Sequence, residues 1–387
     1  MIFPGGRELF SFDPGVAYLN HGSFGAVPRS VRAVHRAFLD EADQNPMAFA
    51  RRLPARVAEV RARLAAHVGA DPAGSALVVN ATAATALVLH LFQDLVRPGD
   101  EILTTDHAYN AVMTALERFS GRTGVVVRVA RVPLEASDAE VVALLSAQVR
   151  PGVTRLAIVD HVAAATAKLF PVAAIIRALR AAQVPVLVDA AHTPGMLDVD
   201  VSALGADFWV GNFHKWGLAP RGTALLHVAP AWRDRMVPQV VSHADHDGYP
   251  RAIEHQGTRD LTAWLAAPAG LDLLAELGVE RVRRYAVEVA ERAQTALADA
   301  LGVATPDPGP GVAMRVVPLP AGTVTDEATA GALRTRIGEE LGVEVNVNPW
   351  DAGGLLRVSG HVYVTSADGD RLAQGLPRLL GRPARAA

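Results

Sequence analysis

Between residues 76 and 227 the chain alternates short, unbroken apolar runs with longer stretches in which apolar residues recur every three or four positions. The runs fall near 76–79, 101–104, 124–130, 155–160, 186–189, 207–211 and 222–227, with little in-and-out alternation. Such runs, with helical patterns between them, predict a mainly parallel seven-stranded sheet covered by helices on both faces. Ahead of it, amphipathic helices are expected near 28–42 and 54–68, separated by Asn45-Pro46 and Arg51-Arg52; either arginine could reach an acidic substrate or belong to a solvated face. Beyond it, helices over 261–277 and 279–301 lead to strands at 312–318, 343–347 and 355–359, alternating with helices near 326–341 and 367–380. The expected architecture is α/β, with a large domain over 1–260 and a smaller C-terminal α+β domain over 261–387.

Composition narrows the function. Half of the 387 residues are hydrophobic and the net charge is −3, which suits a globular protein and argues against a nucleic-acid surface. No apolar run reaches the roughly 18 residues needed to span a bilayer. Arg7, Glu8 and Asp13 close behind Met1 do not resemble a signal peptide, so a cytoplasmic location is expected. There is no cysteine. That removes disulfides, thiolate metal sites and any mechanism needing a nucleophilic thiol, including persulfide formation.

The chemistry gathers around Trp209-Val210-Gly211-Asn212-Phe213-His214-Lys215-Trp216-Gly217. An ammonium buried just past an apolar strand needs a reason, since an unpartnered one costs several kcal/mol. An imine with an aldehyde cofactor supplies that reason, and pyridoxal phosphate is the obvious aldehyde. Its pyridine nitrogen needs a fixed carboxylate, and Asp189 ends the apolar run from Val184. His192 follows on the turn and can serve the phenolic oxygen. For the phosphate, Ala81-Thr82-Ala83 opens a helix, with Asn212 and His214 nearby. Taken singly, such an Asp is usually a cap, such a His a core residue and such a Lys exposed. What separates them from those readings is their conjunction at the ends of successive strands.

Asp189-Ala190-Ala191-His192-Thr193-Pro194-Gly195 and Gly211-Asn212-Phe213-His214-Lys215-Trp216 resemble the signature segments of the class V aminotransferase group of fold-type I pyridoxal-phosphate enzymes. Tyr18-Leu19-Asn20-His21-Gly22-Ser23-Phe24-Gly25 is similar to the isopenicillin N epimerase-like branch. The resemblance implies that the loop bearing Asn20, His21 and Ser23 lines the substrate pocket. It also implies that Tyr109, with His107 as competitor, stacks on the cofactor ring, and that Arg357 binds the substrate carboxylate. In the family, a segment like Gln256-Gly257-Thr258-Arg259-Asp260 reaches the partner subunit's cofactor phosphate, so Thr258 is carried over and a homodimer with shared sites is implied. Two departures stand out. Ala164 replaces the hydroxyl or amide usual after His161, and Val364 replaces a frequent Asn. His243, Asp245 and His246 lack the second cluster that a metal site would want, so no metal is expected.

The expected activity is on an amino acid, with Arg357 holding its carboxylate and Lys215 taking the α-proton. Epimerisation, with Tyr109, His107 or His21 as the opposite-face proton donor, is favoured by the branch; β-elimination by a carbon–sulfur lyase comes next and transamination third. A non-catalytic cofactor-binding module would be expected to lose Lys215 or Arg357, and both are present.

Overall fold

A computed structural model describes residues 1–381. Contacts divide it into two compact units, one of Val31–Ala163 with Phe170–Asp272, the other of Met1–Ser30, Ala164–Leu169 and the chain from Leu273 onward. The division expected at residue 260 therefore does not follow the chain. The first thirty residues and a short segment after Ala163 cluster with the C-terminal part, and most of the helix Thr262–Leu277 belongs to the other unit. The expected domain end at 387 lies outside the described residues.

The unit built around Val31–Ala163 holds a seven-stranded sheet. In spatial order its strands are Ser75–Val78, Ala224–Val228, Phe208–Asn212, Val186–Asp189, Thr154–Asp160, Glu101–Thr105 and Val126–Ala130. Ala224–Val228 runs antiparallel to both neighbours, and the other ladders are parallel. Val186–Asp189 and Phe208–Asn212 are buried at every position, which is why their sequences are apolar up to the last residue of each. Leu187, Phe208, Val210 and Leu226 pack with Leu87, Val88 and Phe92 of the helix Ala81–Gln93. Each such side chain stabilises the fold by about 1.5–3 kcal/mol through burial. Parallel strands bring their carboxyl ends to one edge, so Thr105, Asp160, Asp189 and Asn212 all finish there.

Helix boundaries near the N-terminus differ from expectation. The second helix begins at Pro46 and runs to His67, carrying Pro54 in its interior. Asn45 caps it by accepting the Ala48 N–H at 3.0 Å, and Pro46 suits the first turn, so this start signal prevails over the later proline. Arg52 and Arg56 both pair with Glu41 of the preceding helix Arg29–Gln44, each at 2.9 Å. Arg52 is thus part of a surface ion-pair cluster.

The other unit contains the antiparallel sheet Asn346–Asn348, Leu355–Ser359, Met314–Pro318 and the short parallel pair Ala17–Tyr18 with Val343–Glu344. The single strand expected at 343–347 is therefore two, each in a different sheet. Helix Val279–Leu301 packs against Ser366–Leu379, and a Cβ on Gly369 would come within 2.9 Å of Ala293 Cβ, so this close approach needs glycine.

Within the seven-stranded unit a buried carboxylate ties helix to sheet edge. Glu254, 4% exposed, accepts the Leu77 N–H at 2.9 Å and pairs with Arg61 at 2.6 Å. Burial pushes the carboxyl up, and Arg61 and the Leu77 N–H oppose it. Arg61→Met should cost about 3 kcal/mol of unfolding free energy in urea titrations, because it strands a buried charge. The loss should be smaller at pH 5 than at pH 8, where the stranded carboxyl cannot take up a proton.

Candidate active site

The sheet's carboxyl edge assembles most of the expected residues. Asp160 and Asp189 are register partners on neighbouring parallel strands, which puts both side chains on one face. Both are about 5% exposed. Burial, and then the charge of Asp189, push the Asp160 carboxyl well above the usual range. Burial also raises Asp189, but the Ala191 N–H, donated at 3.0 Å, and the Lys215 ammonium act the other way. Of the two carboxyls, Asp189 is the better placed to carry the negative charge. Sequence analysis assigns Asp160 no site role; the signal for it is its place at the end of an apolar parallel strand, aligned with Asp189.

Lys215 follows the strand Phe208–Asn212, with Nζ 3.2 Å from His192 Nε2. Trp216 Nε1 donates toward His192 Nδ1 at 3.5 Å, on the side of the ring away from the lysine. His192 is 2% exposed and has room for little motion. His214 turns its Nδ1 to the Thr223 carbonyl at 2.9 Å, and burial, reinforced by Lys215, lowers its pKa to about 4.

The helix Ala81–Gln93 begins at this edge, but its first N–H groups are partly committed. Asn80 accepts the Ala83 N–H at 2.8 Å, and Asn212 accepts the Ala81 N–H at 2.9 Å. Asn212 thus fixes the helix start to the lysine-bearing strand, and Thr82 lies exposed between the two capped positions. His107 and Tyr109 are not equivalent. His107 is 1% exposed, with Nε2 2.7 Å from the Val132 carbonyl and its ring edge-on to Phe170, whereas Tyr109 is 48% exposed at the N-cap of the helix Asn110–Thr123. Thr258 is exposed after Gly257, whose φ of +85° suits glycine. In the segment before it His243 and His255 meet edge to face at 4.3 Å; among the described residues no group of three or more His, Asp or Glu is arranged to hold a metal ion.

Arg357 is organised in the other unit. It is 1% exposed; Nη1 donates to the Ala164 carbonyl, and Nη2 donates to Ser23 Oγ at 2.7 Å and Asn20 Oδ1 at 3.2 Å. Three neutral oxygens orient the guanidinium without cancelling its charge. Ala164 therefore contributes through its backbone, so the missing hydroxyl at that position leaves the contact intact. His21 differs from expectation. Its ring is fully buried, stacked on His361 and 2.7 Å from the Tyr363 hydroxyl, so it faces the interior of its unit.

Residues 20–372 match the family model for aminotransferase class-V. The chain belongs to that family. Among curated relatives, isopenicillin N epimerase of Streptomyces clavuligerus is 37% identical over 97% of both chains. The enzyme of the same name from Amycolatopsis lactamdurans is also 37% identical, over 96% of this chain and 97% of its own. Putative L-cysteine desulfhydrase 1 of Oryza sativa subsp. japonica is 30% identical over 96% of this chain and 85% of its own. Of solved structures, a C-DES mutant with glycine covalently linked to its PLP cofactor aligns at TM-score 0.81 with 22% identity, covering 96% of this chain and 98% of that one. The cysteine desulfurase CsdA of Escherichia coli aligns at 0.80 with 21% identity over 97% of each. These structures share the fold.

As a class-V aminotransferase family member the protein is a pyridoxal-phosphate-dependent enzyme. The donor set at the sheet edge suits that group: a buried carboxylate, a lysine beside an imidazole, and a helix start joined to the lysine strand through Asn212. Among the described residues no helix is long and apolar enough to cross a membrane.

The buried imidazoles make stability depend on pH. Burial lowers His161 to about 4, so it charges near 6.5 when unfolded but only near 4 when folded. Its contribution is intact above pH 6.5 and is lost as pH falls toward 4, up to about 3 kcal/mol. Thermal unfolding of the apoprotein from pH 7 to pH 4 should show this acid slope, and His161→Asn should flatten it.

Proposed function

We propose that this enzyme removes and returns the α-proton of an amino acid, inverting the α-carbon. The observation that supports α-carbon chemistry most directly is the Lys215 amine 3.2 Å from His192 Nε2, at the edge that also carries Asp189. Epimerisation is preferred because the similarity to isopenicillin N epimerases runs through nearly the whole of each chain.

In this reading Asp189 faces the pyridine nitrogen and His192 the phenolic oxygen. Thr82, the start of the helix Ala81–Gln93 including Ala83, and His214 serve the phosphate, with Asn212 fixing that helix start. Bound there, pyridoxal phosphate supplies an electron sink for the charge left when the α-proton departs. Lys215 Nζ takes that proton on one face, and His192 orients the amine. Arg357 takes the substrate carboxylate with a planar fork, and Asn20 and Ser23 hold the fork in place. Tyr109, the exposed ring, is the proposed stacking partner and opposite-face proton donor; His107 is the weaker candidate because it is committed to the Val132 carbonyl. Thr258 is proposed to reach the cofactor phosphate of a second copy, in a homodimer.

β-Elimination is the second reading, favoured by the L-cysteine desulfhydrase relatives. It needs a leaving group on the β-carbon and no protein thiol, which a chain without cysteine can satisfy. Transamination comes third.

The holoenzyme should be incubated with a panel of amino acids in deuterium oxide and followed by proton NMR. Solvent deuterium at the α-carbon with loss of chirality is the expected result; a 2-oxo acid and ammonia released without an amino acceptor would move the assignment to a lyase. Lys215→Ala should slow α-proton exchange by roughly a thousandfold. Arg357→Lys should raise KM by about tenfold or more while leaving kcat much less affected, because the two-pronged contact is lost.

A further inference from the structure

From Arg357 the sequence alternates strictly, with Arg357, Ser359, His361 and Tyr363 interleaved by Val358, Gly360, Val362 and Val364. Gly360 and Val364 lie against the helix Val279–Leu301. A Cβ on Gly360 would fall 1.9 Å from the Ala286 carbonyl oxygen, and Tyr285 donates its hydroxyl to the Val364 carbonyl at 2.7 Å. These contacts fix the segment. Arg357, Ser359, His361 and Tyr363 each touch the turn Asn20-His21-Gly22-Ser23.

Arg357 holds Asn20 and Ser23 as described above. Ser359 Oγ accepts the Gly22 N–H at 3.2 Å. The His361 ring stacks on His21 at 4.1 Å between centroids and 19° between planes, and the Tyr363 hydroxyl lies 2.7 Å from His21 Nδ1. Phe10 and Phe12 close around Tyr363 at 4.8 and 4.7 Å. The turn has little freedom to shift, since a Cβ on Gly22 would meet Met314 Sδ at 2.5 Å and Arg357 Nη2 at 3.3 Å.

Two imidazoles and a phenol buried together are costly filling for a core, because each polar atom must be satisfied or lose its hydration for nothing. Leucine or phenylalanine would fill the same space more cheaply. The polar atoms are accounted for if the cluster specifies the position of one loop. We propose that His361 and Tyr363 are positioning residues for substrate recognition: they lock His21, and through it the Asn20–Ser23 turn whose oxygens aim the Arg357 guanidinium at a carboxylate. This rests on the reading of Arg357 as the carboxylate receptor. It also gives His21 a task inside its unit in place of proton transfer.

The test uses the holoenzyme with Tyr363→Phe, His361→Ala and His361→Phe, the last keeping a stackable ring. Hydrogen exchange is followed on peptides covering residues 19–25, without substrate. Tyr363→Phe and His361→Ala should speed exchange there at least tenfold, with peptides from the strands Val186–Asp189 and Phe208–Asn212 unchanged. With L-alanine as the probe of α-proton exchange, KM should rise about tenfold, the equivalent of one buried hydrogen bond, with kcat within about twofold. His361→Phe should stay near the unaltered enzyme on both readouts. Unchanged exchange at 19–25 in both disruptive variants overturns the proposal, as does a fall in kcat and in cofactor affinity with KM constant. If the unaltered enzyme exchanges the α-proton of no amino acid in the panel, the functional reading fails, and hydrogen exchange alone then decides the positioning role.

Discussion

A carboxylate at the end of a fully buried strand is tolerated only where positive charge or hydrogen-bond donors meet it, and Asp189 sets that requirement for its surroundings. The Ala191 N–H and the Lys215 ammonium favour its charged form, and Asp160, beside it in register, is driven toward its neutral form by burial and by that same charge. His192 then meets the lysine nitrogen, and Asn212, three residues before Lys215, joins the lysine strand to the start of the helix Ala81–Gln93. Parallel strand ends provide this convergence because their side chains finish at one edge whatever the loops do.

Much of the sheet could be read from the chain. The seven apolar runs became the seven strands; six are buried along most of their length and leave a signal that needs no partner to interpret, whereas the edge strand Val126–Ala130 is partly exposed. Lys215, Asp189 and His192 were legible for a related reason: ionisable residues at the ends of such runs call for chemistry. What could not be read was long-range. Nothing local distinguishes Pro54 inside a helix from Pro54 at its start, and a residue-by-residue reading cannot see that Met1–Ser30 clusters with a segment made hundreds of positions later. Nor could it see that Ala164 serves through its carbonyl, since a backbone group carries no residue-type signature.

The segment from Arg357 to Val364 lies between these cases. Its alternation was visible, and so was the family motif within it. Only the structure showed that the polar half faces the Asn20–Ser23 turn, because the partners are more than three hundred residues apart in sequence. If Arg357 receives a carboxylate as proposed, the neutral oxygens and rings that keep its flexible side chain in one rotamer would share in the recognition.

The interleaving of the two units has a consequence for synthesis. Met1–Ser30 are synthesised before the strands and helix they cluster with, which begin at Leu273 and continue beyond Met314. At elongation rates of about 5–20 residues per second that delay is on the order of tens of seconds. During it Phe3, Phe10 and Leu19, all buried in the finished protein, have no native partners in that C-terminal part. Until those elements are made, these apolar side chains lack the packing that buries them in the finished protein. Neither unit is a continuous stretch of chain, so no single cut separates them: a fragment ending at Asp272 holds all of the seven-stranded unit but keeps Met1–Ser30 and Ala164–Leu169 without the chain from Leu273 onward that they cluster with.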